Sequence, residues 1–425
     1  MKSAIEKYLS HYAEPESVLS SSLMQQDSCI HLRDHIESCL VIPTYNEPAD
    51  FIARLKKHPH ISQVLLILVI NQPEDSMIST ENKELFGLLR NSNTTIAKKQ
   101  TISLIQTGDL RALIVDRFSE GKKIPIKQGV GLARKIGADI ACQLYHDDII
   151  QTKNAKGQWI FSSDADTHLP DNYFELNDIQ SDARVFNFRH IADQSAISHA
   201  THLYEQAIKY YKNALEWSGS PYAFYTLGSV LAFQIDAYCK VRGFPKRPAG
   251  EDFYLLNKLV KQGKVNFDSS ITVQIESRIS ERVPFGTGPA VKSIIENDKE
   301  NRTYTYYNPE IFCLLKIFIR WSTTQLPSVC ATTQHKMTQH QATQWREFAL
   351  NTLSPEIIDT IDSIQFEKFI SHASRQCRTQ KMFIAHFHNW FDGFKTLKFI
   401  HYLQNKYLPP TTIKQCIAAQ KNWKK

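Results

Sequence analysis

Two aspartates separated by one alanine, Asp164 and Asp166, form the first stretch of the chain whose side chains could do chemistry. They follow the apolar run at 159–161, so we expect them just beyond the carboxyl end of a buried strand. Two hard oxygen ligands on a short turn suit Mg²⁺ or Mn²⁺, which retain coordination positions for diphosphate oxygens. Because Asp and Ser are also ordinary turn residues, the stretch alone is equally typical of a simple polar turn.

A second acidic pair, Glu251 and Asp252, follows a loop rich in Gly and Pro and opens a helical pattern. A carboxylate in the first turn of a helix interacts favourably with the helix dipole, which is a purely structural role. It can also accept the proton of a hydroxyl nucleophile as a general base. Taken alone, this pair leaves both interpretations open.

Polar residues also follow other predicted strands. The run "LVIPTYNEP" places Pro43, Tyr45 and Glu47 at the carboxyl end of the first strand, where ligands bind in open α/β sheets. Arg278 and Arg282 come just after the last predicted strand, in a loop with Gly and Pro. Arginines in such a loop can bind phosphate oxygens in a bidentate manner, although paired surface arginines are often only solvated.

Two glycine-rich stretches do not meet the requirements of the nucleotide-binding motifs that they resemble. The stretch at 129–134 has Arg134 where a dinucleotide-binding fingerprint requires glycine, and it lies on a predicted helix. The stretch at 286–293 has Val291 in place of the second P-loop glycine, and Pro289 interrupts it. We therefore expect neither a dinucleotide-binding loop nor a P-loop.

The elements that must position these residues alternate along the chain. Continuous apolar runs at 39–44, 63–70, 110–118 and 157–162 read as buried strands, with helical patterns between them. This alternation predicts an α/β fold with a mostly parallel sheet flanked by helices. We expect a helical lead-in over 1–37, a sheet domain over 38–300, and a helical, strand-free C-terminal region over 301–425.

The composition restricts the class of protein. The 425-residue chain carries a formal charge of +7 without a basic nucleic-acid motif, so we expect no nucleic-acid partner. Its eight cysteines are scattered without a CxxC pair, which favours a reducing compartment. The N-terminus lacks a signal-peptide pattern, and the longest apolar run, "QVLLILVI", is too short to span a bilayer. We expect a cytoplasmic protein, at most peripheral to the inner face of a membrane.

In combination and in order, these features resemble the GT-A-type glycosyltransferases of family 2. The resemblance covers about residues 38–300 and rests on "LVIPTYNEP", "GVGLARKIG", "SSDADTHLP", "LGSVLAF…VRGF" and "AGEDFYLLNKL". It implies a GT-A fold and a metal-dependent, inverting transfer of a sugar, of the hexosyltransferase type, from a nucleoside diphosphate sugar to a hydroxyl acceptor.

The resemblance also implies roles for individual residues. Asp252 would be the catalytic base and Glu251 would position the acceptor, while Asp166, together with Asp164, would bind Mg²⁺ or Mn²⁺. The residues implied in nucleotide-sugar binding are Pro43, Tyr45, Glu47, Asn71, Arg134 (near the base or ribose), Asp164 (near the ribose), Arg278 and Arg282. Asn71 stands where the family usually has an aspartate that contacts the base, so the nucleotide stays open.

Other interpretations stay open beside this one. A sugar-nucleotide nucleotidyltransferase would need a glycine-rich loop after the first strand, which "PTYNEP" does not supply. A non-catalytic binding protein with the same fold is the third reading. The basic, aromatic C-terminal region is compatible with a membrane surface or a lipid-linked acceptor, but a helical-bundle core or a homodimer contact is the more common origin of such a pattern. His168, next to the two aspartates, is left open as a metal ligand.

Overall fold

The structure is a computed structural model that describes residues 3–26, 29, 36–91, 95–151, 157–176, 180–192, 195–279, 286–330 and 339–423. The chain forms two compact units. The first contains residues 1–198 and 225–289, and the second contains residues 199–224 and 290–425. The long helix over 195–217, which the sequence analysis included in the sheet domain, thus belongs mainly to the second unit.

The first unit is built on a ten-stranded sheet with the order β3-β4-β5-β2-β1-β6-β9-β8-β10-β7. All of its strands run in one direction except β4, β7 and β9, which confirms the predicted α/β architecture with a mostly parallel sheet. The strands are β1 Ser38–Thr44, β2 Val64–Asn71, β3 Thr95–Lys99, β4 Ile102–Thr107, β5 Leu110–Arg117, β6 Trp159–Ser162, β7 Thr167–His168, β8 Ala183–Ile191, β9 Leu231–Gln234 and β10 Val265–Glu276.

Helices flank the sheet and make up most of the second unit. In chain order the helices described are α1 Ala4–His11, α2 Glu16–Met24, α3 Asp50–Leu55, α4 Thr80–Asn91, α5 Gly129–His146, α6 Ser195–Trp217, α7 Ile235–Lys240, α8 Glu251–Leu259, α9 Thr287–Lys299, α10 Pro309–Arg320, α11 Leu326–Cys330, α12 Gln339–Thr352, α13 Pro355–Ser363, α14 Phe366–Gln376, α15 Gln380–Trp390, α16 Gly393–Lys406 and α17 Ile413–Asn422. Many begin at residues suited to helix starts. Ser3 caps α1 in a capping box with Glu6, and Asn308 caps α10, whose first residue is Pro309.

Helix α5 packs closely on its neighbours because it has glycines at the positions of contact, where a side chain would not fit. A Cβ atom on Gly137 would lie 2.3 Å from Cγ1 of Val41 on β1, and one on Gly131 would lie 2.4 Å from the backbone oxygen of Pro245. The amide of Gly131 also donates to the carbonyl of Arg247 at 2.9 Å. The glycines that resembled a dinucleotide-binding fingerprint therefore permit close packing at the start of α5.

The connection between β2 and β5 contains a feature that the sequence analysis missed. Its predicted helix is confirmed as α4, but the segment also forms the antiparallel strands β3 and β4, which extend the sheet at one edge. Strand β4 is buried in its first four residues, whereas β3, the edge strand, has only Ala97 buried and its other residues exposed or half-buried. Through this hairpin, part of the connection between β2 and β5 belongs to the sheet.

The second unit has an aromatic core. Phe312, Phe318, Phe366, Phe387 and Phe399 are completely or almost completely buried within it. The predicted bundle-core origin of the C-terminal aromatic pattern is thus observed, although the expectation of no strand there is wrong. Two short antiparallel strands, β11 Thr305–Tyr306 and β12 Thr411–Thr412, pair with each other.

None of the described helices is long and apolar enough to cross a membrane. The seven cysteines whose side chains are described are free thiols, and the sulfurs of Cys142 and Cys239 lie 3.9 Å apart.

Candidate active site

The topology of the sheet forms a crevice where the sequence analysis placed its polar residues. Strand β1 pairs in parallel with β2 on one side and with β6 on the other, so the strand order reverses at β1. In α/β sheets of this kind, ligands bind beyond the carboxyl ends of the strands at such a reversal. The residues that follow β1, β2 and β6 are Tyr45 to Glu47, Gln72 and Asp164 to Asp166 respectively. The predicted site residues Tyr45, Glu47, Asp164 and Asp166 therefore share one edge of the sheet.

Arg134 of α5 connects the two acidic pairs. Its Nη2 contacts Oδ1 of Asp164 at 2.5 Å and its Nε donates to Oε1 of Glu251 at 2.7 Å. Its Nη1 donates to the hydroxyl of Ser162 at 2.9 Å and to the carbonyl of Ser163 at 3.1 Å. Burial disfavours the charged guanidinium, but the charges of the two carboxylates outweigh this effect and raise the pKa of Arg134.

This arrangement brings residues distant in sequence into one cluster and gives Arg134 a set of carboxylate, hydroxyl and carbonyl partners. Arg134 is only 3% exposed, and its nitrogens are already bonded to protein groups. In these contacts Arg134 organises the acidic residues, and its implied role near the base or ribose stays a prediction.

Glu251 and Asp252 begin α8 after a sharp turn. Gly250 precedes them with φ 72°, a left-handed conformation that favours glycine, and its side-chain-free position leaves the first turn without a side-chain cap. Glu251 is buried against Arg134, while Asp252 is half-buried and accepts the amide of Phe253 at 2.7 Å. Burial, and secondly the nearby charge of Glu251, raise the pKa of Asp252 to about 8. Asp252 is thus a carboxyl group able to exchange a proton near neutral pH.

Arg278, which follows β10, bridges the loops after β1 and β6. Its Nη1 donates to Oε2 of Glu47 at 2.7 Å, its Nη2 also contacts Oε1 of Glu47, and Nη2 lies 3.2 Å from Oδ2 of Asp166. Its side chain is 31% exposed, in contrast to buried Arg134, so it can be reached from solvent. The structure brings Arg278 to the crevice as expected, whereas Arg282 lies outside the described residues.

The donor set can be tested against the divalent cation implied by the resemblance. The carboxylates of Asp164 and Asp166 are 34% and 20% exposed, so both reach the crevice. Among the residues that the structure describes, no three His, Cys, Asp or Glu side chains are grouped as a metal site. Two carboxylates without a third ligand do not make a closed structural site, but they fit Mg²⁺ or Mn²⁺, which takes its other ligands from phosphates and water.

His168 does not join this pair in the structure. It lies on β7, which pairs with β10, and its Nε2 contacts Oε1 of Glu276 at 2.7 Å. Glu276 also pairs with Arg54, whose Nη1 is 3.1 Å from the same oxygen. His168 is therefore engaged at the rim by a carboxylate of the neighbouring strand.

The remaining predicted nucleotide-site residues lie at the ends of β1 and β2. Pro43 is buried within β1. Because β6 pairs with β1 only as far as Val41, the missing N–H of Pro43 removes no hydrogen bond between β1 and β6. Tyr45 is half-buried in the following loop. Asn71 ends β2 with 6% exposure, and its Oδ1 is buried without a hydrogen-bond partner among the described residues. A buried acceptor without a partner is unusual and marks this position as a candidate ligand contact.

Asn82 of α4 is a positioning residue that the sequence analysis missed. It is fully buried and its Nδ2 donates to the carbonyl of Asn71 and to Oε1 of Gln72, both at 3.0 Å. Its Oδ1 accepts the amide of Asn46, which has a left-handed φ of 57°. Asn82 therefore joins the loops after β1 and β2. The available signal was a polar residue on the buried stripe of α4, three positions before Leu85.

Gly228 is a second missed residue. A Cβ atom at this position would lie 2.3 Å from Nη2 of Arg134, and its carbonyl accepts the hydroxyl of Ser162 at 3.0 Å. Any side chain at position 228 would therefore overlap with the guanidinium of Arg134. Nothing in the local sequence pattern indicates a contact with a residue so far away.

No protein-family model matches the chain, and a comparison with curated proteins also returned no match.

Proposed function

We propose that the protein is a metal-dependent glycosyltransferase of the GT-A type that transfers a sugar, with inversion, from a nucleoside diphosphate sugar to a hydroxyl acceptor. The observation that carries this proposal is the bridge formed by Arg134, which holds Asp164 at the end of β6 and Glu251 at the start of α8. A donor-binding turn and a candidate base are thereby kept in one crevice at the reversal of strand order.

The donor end of the crevice has groups that suit a nucleoside diphosphate. Asp164 and Asp166 would hold a Mg²⁺ or Mn²⁺ ion. A bound ion of this kind would neutralise the negative charge that develops on the departing diphosphate. Arg278 is partly exposed and can form bidentate hydrogen bonds with phosphate oxygens. The unpartnered Oδ1 of Asn71 is an acceptor that an N–H group of a nucleobase would satisfy.

The acceptor end depends on Asp252. In its ionised form the carboxylate accepts the proton of the acceptor hydroxyl as that oxygen bonds to the anomeric carbon. The bond from the anomeric carbon to the diphosphate oxygen breaks on the opposite face of the sugar, and its electron pair leaves with the nucleoside diphosphate. Attack opposite the leaving group inverts the anomeric configuration. Glu251 remains paired with Arg134 and fixes the start of α8.

A thermal-shift panel of nucleoside diphosphates and their sugars, with and without Mn²⁺, tests the donor part of the proposal. We expect at least one nucleotide to raise the Tm by about 2 °C or more when Mn²⁺ is present, because a ligand that binds only the folded state stabilises it. The Asp166→Asn variant should lose this response. Asp109→Asn, which changes an exposed aspartate in the turn between β4 and β5, is the matched control and should keep it.

Two results would contradict the proposal. One is the lack of a metal-dependent response to any nucleotide. The other is a product with retained anomeric configuration in an NMR assay, which would remove Asp252 from its role as base while leaving donor binding intact.

A further inference from the structure

Positive charge is distributed unevenly between the two units. Residues 199–224 and 290–425, which form the second unit, contain 20 Lys and Arg but 12 Asp and Glu, and therefore carry a formal charge of +8. The first unit contains the remaining 30 basic and 31 acidic residues, a charge of −1. The excess charge of the chain thus belongs to the helical unit and not to the crevice.

Part of this charge lies on one helical hairpin, formed by α14 and α15 over residues 366–390. We call it the basic hairpin. Lys368 and Arg375 are exposed on α14, seven residues and hence about two helical turns apart, so they share one face. Arg378 and Lys381 are exposed at the connection and the start of α15. The rings of His372 on α14 and His386 on α15 lie with their centroids 5.7 Å apart.

These four cations have no carboxylate partner in the described part of the chain. Other cations there are paired, such as Arg346 with Asp362 and Lys406 with Asp359. Between 368 and 425 the sequence contains 11 Lys and Arg and a single acidic residue, Asp392. That carboxylate caps the start of α16 by accepting the amide of Lys395 at 3.1 Å. Within the basic hairpin itself the acidic residue is Glu367, so the four cations leave the hairpin a net formal charge of +3.

We infer that the basic hairpin binds the surface of a bilayer that contains anionic phospholipids. Each Lys or Arg near such a surface contributes about 1 kcal/mol, and clusters of about four or more on an amphipathic helix are typical of this binding. Met382, which is 39% exposed beside Lys381, adds an apolar contact at the same end of α15. The inference does not depend on the reaction proposed above.

Two other partners fit the hairpin less well. Single-stranded nucleic acid is bound by exposed aromatic side chains on which bases stack, but the four phenylalanines of the hairpin, Phe366, Phe369, Phe383 and Phe387, are buried in the core. A second copy of the chain, docked through the same surface, would place like charges against each other. A fluid anionic lipid surface requires neither stacking nor a complementary shape.

Cosedimentation of the full-length protein with vesicles tests the inference. We expect binding to vesicles of equal phosphatidylglycerol and phosphatidylcholine, weak binding to phosphatidylcholine alone, and loss of binding as salt rises from about 0.05 M to about 0.5 M. The quadruple variant Lys368→Gln, Arg375→Gln, Arg378→Gln, Lys381→Gln should bind at least about tenfold more weakly. Its Tm and circular dichroism spectrum, unchanged from wild type, would exclude unfolding.

A control variant removes the same amount of charge elsewhere. Lys7, Lys57, Lys83 and Lys98 are exposed in the first unit, and their replacement by Gln should leave vesicle binding within about twofold of wild type. Equal loss in both variants would overturn the inference, because net charge and not the hairpin would then govern binding. Failure of the wild type to bind anionic vesicles would also overturn it, as would displacement of the protein from vesicles by an oligonucleotide that uses the same four cations.

Discussion

Arg134 and Glu251, 117 residues apart in sequence, form a buried ion pair in which Nε lies 2.7 Å from Oε1. The side chains are only 4% and 5% exposed. If one partner is removed, water therefore cannot reach the remaining charge to solvate it. The pair ties α5, which packs on β1, to the first turn of α8.

Removal of one partner should therefore destabilise the fold more than removal of both. We expect Arg134→Met to cost about 3–5 kcal/mol, because it leaves Glu251 as an uncompensated buried charge. The double variant Arg134→Met, Glu251→Leu should recover at least half of that loss, since Asp164 is partly exposed and can be hydrated. Guanidinium denaturation measures both. If the double variant lost as much free energy of unfolding as the single variants Arg134→Met and Glu251→Leu added together, the ion pair would not be the source of the effect.

Gly228→Ala should reduce activity far more than stability. The new methyl group would meet the guanidinium of Arg134 and shift it, and a displacement of about 1 Å at a site can lower turnover about 100-fold. Gly87→Ala is the control, because a Cβ atom there has open space on helix α4 and should stabilise it by about 0.5–1 kcal/mol. Transfer assays and thermal unfolding of both variants separate the two effects.

The raised pKa of Asp252 predicts two pH dependences. Since the base that we propose must be ionised, kcat/KM of the proposed transfer should rise with pH and level off above about pH 8. The folded protein holds this proton from the ordinary carboxyl pKa up to about 8 while the unfolded chain has lost it, so the contribution of Asp252 to stability falls over that interval.

Asp252→Asn removes this titration and should be inactive. Its Tm relative to wild type should increase between pH 5 and pH 8, by roughly 2 °C or more. A Tm difference that is constant with pH would mean that the pKa of Asp252 is not raised in the folded protein.

Asn82→Leu should weaken donor binding. The substitution keeps a buried side chain of similar size but leaves the amide of Asn46 and the carbonyl of Asn71 without this partner, at about 1–3 kcal/mol for such groups. We expect the KM for the donor to rise about tenfold, with a smaller change in kcat. Lys83→Ala, an exposed neighbour on the same helix, is the control and should leave both constants unchanged.

The strands that meet at the crevice could be predicted because they leave local patterns. β1, β2 and β6 are almost completely buried, so their apolar runs stand out in the sequence. β3 could not be recognised in the same way, because it is an edge strand with a single buried residue and two lysines. It becomes a strand only through pairing with β4.

The candidate site was predictable in its residue types but not in its contacts. The carboxylates of 164, 166, 251 and 252 follow strand and helix boundaries that the sequence displays. Which of them Arg134 would contact depends on packing between segments 30 and 117 residues apart, and no local pattern encodes that. The same is true of the bridge from Arg278 to Glu47, which spans 231 residues.

The N-terminal helix α1 is also bound into the first unit by a buried polar network. The hydroxyl of Tyr8 donates to Oδ1 of Asp139 at 2.6 Å and accepts from Nζ of Lys135 at 2.7 Å, while Lys135 lies 2.6 Å from Oδ2 of the same aspartate. The amide of Glu14 also donates to Oδ2, at 2.8 Å, and the hydroxyl of Tyr238 donates to Oδ1 at 3.0 Å. A truncated protein beginning at Ser38 would lack both Tyr8 and Glu14. The ion pair between Lys135 and Asp139, which is buried in the structure, would then be exposed to water. Residues that the sequence analysis assigned to a lead-in are thus part of the first unit, and a minimal folded fragment of that unit has to include them.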